Sequence, residues 1–116
     1  MKFFRSQRVA SLIQEKISWM IEREVEVPGV LITVTEVLVT KKLESAAVRV
    51  SVLPSEKAPD AMRELGRRVG ELQFKLNRLL NIKPMPRISF ELDRGPEQAA
   101  IVEKLLLNDG SDAHEK

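Results

Sequence analysis

Apolar residues recur along this chain with two different periods, and the points where the period changes divide it into elements. From Ser6 to about Glu26, Val9, Leu12, Ile13, Ile17, Met20 and Ile21 return at spacings of three and four, with Arg8, Glu15, Lys16, Glu22 and Arg23 between them. That rhythm predicts an amphipathic helix capped by Ser6 and stopped by Pro28-Gly29, with Trp19 packing beside the apolar stripe and a stacking role for it as the lesser alternative. From Val30 to Thr40 the residues become β-branched, and Ile32, Val34 and Leu38 alternate against Thr33, Thr35 and Val37. After the polar turn Lys41-Lys42, a second strand reaches Leu53-Pro54, with Ala46, Val48, Val50 and Val52 on one face. Two strands this close in sequence predict an antiparallel hairpin with one apolar side.

A second helical rhythm runs from about Pro59 to Ile82, entered at Ser55 as a cap and closed by Asn81. Met62, Leu65, Val69, Leu72, Leu76 and Leu79 fall in one arc, while Arg67, Arg68, Lys75 and Arg78, with Glu64 and Glu71, fall in the opposite one. Gly66 and Gly70 interrupt it. A glycine costs a helix interior roughly 1 kcal/mol relative to alanine, so two of them one turn apart predict a bend, or a site where a ligand or backbone comes close. Lys83-Pro84-Met85-Pro86 forces an extended connection to a third strand, Arg87 to Asp93, with Ile88, Phe90 and Leu92 inward. Arg94-Gly95-Pro96 then turns into a final helix, Glu97 to Leu107, whose Ile101, Leu105 and Leu106 are free to pack. A helical crossover between the second and third strands favours parallel, right-handed pairing. The expected fold is α+β: order α-β-β-α(kinked)-β-α, a three-stranded mixed sheet with strand two central and helices on one face.

Length and charge narrow the function. The 116 residues suit one domain over residues 1–108, leaving 109–116 as an acidic tail expected to be disordered. Residues 1 to 96 carry 17 Lys/Arg against 12 Asp/Glu, a net +5, whereas residues 97 to 116 carry 2 against 5, a net −3. A basic body attracts phosphate backbones. There is no cysteine, and the one histidine, His114, lies in the tail, so thiol chemistry and Cys/His metal sites are excluded and no cofactor is expected. Gly66 to Gly70 lacks the lysine-serine end of a P-loop, and the carboxylates Glu22, Glu24 and Glu26 at a helix end read as solvated or ion-paired, so no enzyme is expected. With no signal peptide and no apolar stretch long enough to span a bilayer, the expected location is the cytoplasm, with no membrane partner.

The element order, with glycines marking a break between two helical halves, resembles the type II KH domain, a single-stranded RNA-binding module. Closer still, Arg5-Ser6-Gln7-Arg8-Val9-Ala10, the strand Thr33-Val34-Thr35-Glu36-Val37, the strand Leu43 to Leu53, and Asp93-Arg94-Gly95-Pro96-Glu97 with Ile101 and Leu105-Leu106 resemble the ribosome-binding factor A family, in that family's order. The family's Ala-X-Gly kink corresponds to Arg68-Val69-Gly70, with arginine replacing the small residue; Lys42 stands where aspartate is usual and Gly95 where serine is usual. The resemblance implies a non-catalytic, monomeric assembly factor that binds the small ribosomal subunit and its rRNA and promotes late maturation, with a GTPase assisting release. Gly66 and Gly70 would let phosphates approach, and Arg67, Arg68, Lys75 and Arg78 would hold them, continued by Lys83 and Arg87, with Lys41, Lys42, Arg5 and Arg8 as further contacts. Aromatics are few, and only Phe74 lies off the apolar arc, so recognition is expected through charge and RNA shape, not base stacking. The alternatives are a protein-interaction module using a strand edge or the last helix, or a generic KH-type RNA-binding protein.

Overall fold

The computed structural model describes residues 5–96, 103 and 105–107. Helix α1 (Arg5–Glu24) leads into β1 (Leu31–Val39) and β2 (Ser45–Leu53); a 3-10 turn (Ser55–Lys57) then opens α2 (Ala58–Leu80), which is followed by β3 (Arg87–Leu92). Strand β2 is central, antiparallel to β1 and parallel to β3. The inner face of β2, Ala46, Val48, Val50 and Val52, is buried beneath the two helices. Against it pack Ile13 and Ile17 of α1 and Leu65, Leu72 and Leu76 of α2, all fully buried. Each such side chain stabilises the fold by roughly 1.5–3 kcal/mol through removal from water.

Three local expectations need correction. First, α1 is already helical at Arg5, so Ser6 lies inside the helix and does not cap it. Likewise Ser55 begins the 3-10 turn, and Lys57 occupies the position before α2, with Pro59 in its first turn. Second, β1 does not alternate along its whole length. Its register with β2 shifts between Val34 and Glu36, leaving Thr35 as a bulge. The extra residue reverses the parity, so Val37 is buried and Leu38 is exposed. Thr35 Oγ1 donates to Asp93 Oδ2 at 2.7 Å, pinning the bulge to the segment after β3.

The third correction concerns α2, which is one continuous helix through Gly66 and Gly70, neither of which has a positive φ. The expected interruption is absent because the flanking residues supply more than the glycines cost. The buried stripe Ala61, Leu65, Leu72 and Leu76 docks both halves. Ion pairs Asp60–Arg63, Glu64–Arg67, Arg68–Glu71 and Glu71–Lys75 lace the exposed face across both glycines at i,i+3 and i,i+4. Asn81, at φ 52°, closes the helix in the left-handed conformation.

The last predicted helix falls mostly outside the described residues; where it is described, residues 103 and 105–107 are helical, and Leu105 and Leu106 are exposed and not packed. Ile101, the tail 109–116 and His114 lie outside the described residues.

Candidate nucleic-acid interface

The cations of α2 differ sharply in what already holds them. Arg67 binds Glu64 through two parallel bonds, Nε to Oε1 at 3.0 Å and Nη2 to Oε2 at 2.7 Å, which raises the guanidinium pKa and lowers that of the carboxyl. Arg68 is turned inward, its side chain only 17% exposed. Its Nη1 donates to the Glu24 carbonyl at 2.7 Å, and its Nε to Glu71 at 2.9 Å. The Glu24 carbonyl belongs to the last turn of α1, where backbone acceptors have no partner within the helix and the dipole favours positive charge. Arg68 thus caps α1 from a neighbouring helix. Lys75 Nζ joins the same corner, 2.6 Å from Glu24 Oε1, a bond that raises the lysine pKa. Arg68 and Lys75 are therefore spent on joining the two helices, and Arg67 on its own helix face. Gly66 and Gly70 are exposed, with open space where a side chain would be.

The remaining predicted cations gather elsewhere. Arg5 Nη2 donates to the Lys83 carbonyl at 3.1 Å, bringing the start of α1 to the loop before β3. That loop is fixed to α2 by Gln73, which accepts the Ile88 N–H at 2.8 Å and donates to the Pro86 carbonyl at 3.1 Å. The Arg87 N–H in turn donates to the Glu44 carbonyl at 3.0 Å, so β3 begins beside the hairpin turn that carries Lys41 and Lys42. Leu43, at φ 60° with its side chain buried, anchors that turn and leaves both lysines exposed. One end of the sandwich thus collects Arg5, Lys41, Lys42, Lys83 and Arg87 from four separate segments. None of the five has an ion pair among the described residues, and Glu44 is the carboxylate within the turn.

Arg8 and Arg78 lie along the helical layer. Arg78 stands over the Phe74 ring, 5.8 Å from its centroid, and lines a depression of about 400 Å³ with Trp19, Met20, Glu24, Lys75 and Leu79. Trp19 does not pack into the core as expected: it is 49% exposed, with Arg23 Cζ 4.6 Å from its ring centroid. Leu12 and Leu79 are likewise exposed and not part of the buried stripes. Trp19, expected chiefly to pack, and Arg23, read only as a polar position between the apolar ones, form this surface pair; their spacing of four on one helix was the available signal. Among the described residues no acidic or histidine cluster could hold a metal, and no helix is long and apolar enough to cross a membrane.

An α-β-β-α-β chain with a mixed sheet under one helical layer has the α+β architecture of the KH-like domains. The chain belongs to the ribosome-binding factor A family, whose profile matches residues 5–106. It is similar to the ribosome-binding factor A of Acetivibrio thermocellus, 35% identical over 105 residues that cover 88% of this chain and 85% of that one. The factor from Opitutus terrae is 32% identical, over 88% of this chain and 84% of its own length. Among solved structures, the crystal structure of ribosome-binding factor A from Thermus thermophilus superposes with a TM-score of 0.68 at 23% identity, covering 78% of this chain and 98% of that one. A Thermus thermophilus ribosome-binding factor A model fitted into a cryo-electron-microscopy map of its complex with the 30S subunit gives 0.67 at 24% identity, covering 78% and 96%.

Proposed function

We propose that this protein is a non-catalytic assembly factor that binds the small ribosomal subunit, through contact with its rRNA, and promotes late maturation of that subunit. Family membership supports the role, and the Thermus factor seen with the 30S subunit supports the partner. The observation that carries the RNA assignment is the convergence of Arg5, Lys41, Lys42, Lys83 and Arg87 at one end of the sandwich, without acidic partners among the described residues. Unpaired cations held on fixed backbone elements meet phosphates without first breaking internal ion pairs. Arg67, Arg68 and Lys75 would have to surrender theirs, so they are secondary contacts, and Gly66 and Gly70 leave room beside them.

The test is cosedimentation with immature small subunits. Replacing Lys41, Lys42, Lys83 and Arg87 together by glutamine should leave thermal unfolding unchanged, weaken binding by an order of magnitude or more, and flatten its salt dependence, since each lost phosphate contact removes about one unit of slope. Wild-type affinity and salt slope in that variant would overturn the site.

A further inference from the structure

The outward side of α1 carries a repeated pattern that the cationic end does not use. Arg8, Leu12, Glu15, Trp19 and Arg23 follow at spacings of four, three, four and four, so they share one helical face. Leu12 and Trp19 are exposed, as are Phe74 and Leu79 on the adjoining part of α2. Trp19 borders two neighbouring depressions, the one shared with Lys75, Arg78 and Leu79 and another of about 290 Å³ shared with Glu15, Lys16 and Leu79. Both exposed aromatic rings stand under an arginine, Trp19 under Arg23 and Phe74 under Arg78, and neither arginine has an ion pair among the described residues.

We infer that this groove between α1 and α2 holds unpaired nucleotides, with a base stacked on Trp19 and the flanking phosphates on Arg23 and Arg78. The inference rests on the RNA-binding reading above and adds a second, stacking contact to it. Indole rings and guanidinium planes are the two side-chain surfaces on which unstacked bases lie, and here they occur as adjacent pairs. Because Arg23 is exposed and carries no carboxylate partner among the described residues, it can swing from the ring face to a phosphate while a base takes its place. Lys16, Arg23 and Arg78, none of them ion-paired among the described residues, flank the apolar strip of Trp19 and Leu79, while Glu24 beside it is already held by Lys75, a distribution that suits a polyanion with apolar faces. A double-stranded helix hides its base faces and cannot use the site.

Trp19 is the sole tryptophan in a chain without tyrosine, so its fluorescence reports this groove alone. The experiment titrates the full chain with a dye-labelled, unstructured RNA oligonucleotide and with a labelled RNA hairpin whose two strands are joined by a non-nucleotide linker, so that it holds no unpaired base, reading RNA anisotropy and tryptophan emission together. Stacking predicts quenching by the single strand and not by the hairpin. Trp19→Ala should weaken single-strand binding by on the order of tenfold, Trp19→Phe by less, and neither should change hairpin binding. Anisotropy rising with tryptophan emission unchanged would overturn the stacking site and leave the RNA reading standing, whereas no anisotropy change with either RNA would overturn both. If Trp19→Ala binds RNA normally yet is lost from intact subunits, the groove faces a protein and the inference fails.

Discussion

At the residue scale, the same chemistry serves opposite ends depending on what stands within reach. Arg67 and Arg68 are neighbours on one helix, yet the first clasps a carboxylate on its own exposed face and the second reaches across to the open end of α1. Arg68→Ala removes a charged donor from a partly buried carbonyl, and such bonds contribute about 1.5–3 kcal/mol. The variant should lose about that much stability in urea unfolding while retaining most of its RNA affinity; Arg67→Ala should leave the urea midpoint nearly unchanged. A large loss of RNA binding in a fully stable Arg68→Ala protein would reverse this assignment. The sequence showed that both arginines lie off the apolar arc, but the bond from Arg68 to the Glu24 carbonyl spans 44 positions and depends on the packing of two helices. Trp19 was obscure for a related reason. A residue beside the buried Met20 belongs to the core or to the surface according to a few tens of degrees of helix rotation, which periodicity alone does not resolve.

At the scale of elements, the order of helices and strands as far as β3, the hairpin, the parallel crossover and the central place of β2 were all legible, because each rests on a period that the fold simply buries. What escaped was local and collective. The Thr35 bulge has no compositional mark, since one inserted residue in a β-branched run changes parity without changing character. The continuity of α2 was misjudged because the two glycines were weighed by their intrinsic cost, while the ion-pair ladder and the buried stripe act on the whole helix. That account is testable. Gly66 and Gly70 are helical, exposed and face open space, so alanine at either site meets nothing. Each substitution should stabilise the protein by about 0.5–1 kcal/mol, chiefly by restricting the unfolded chain. A fall in the thermal midpoint would mean that α2 needs glycine geometry after all. If stability rises while subunit binding falls, the open space above the glycines is occupied by RNA in the complex.

Over the whole molecule, charge is distributed so that acid and salt should act on different properties. The pKa values of Glu64, Glu71 and Asp93 are lowered by bonds to Arg67, Arg68 and Thr35 respectively. Carboxyls depressed in the folded state contribute stability that is whole above their unfolded values, here the ordinary 4.5 for glutamate and 3.8 for aspartate. That contribution is lost as pH falls through the lowered folded values. Thermal unfolding should therefore be flat near neutrality and decline on the acid side, and Asp93→Asn should make the lowest part of that decline shallower. RNA affinity, by contrast, should follow the net charge of the chain. Residues 109–116 carry three acids and one lysine, a net −2, so removing them raises the formal charge from +2 to +4. Deleting a like-charged repeller of phosphate should raise affinity for small-subunit RNA at low ionic strength. The gain should shrink as the Debye length falls to about 8 Å at physiological salt, while the midpoint of unfolding stays fixed. An affinity that drops on truncation, or a gain indifferent to salt, would show instead that the tail makes a specific contact, and the electrostatic account of this end of the chain would fail.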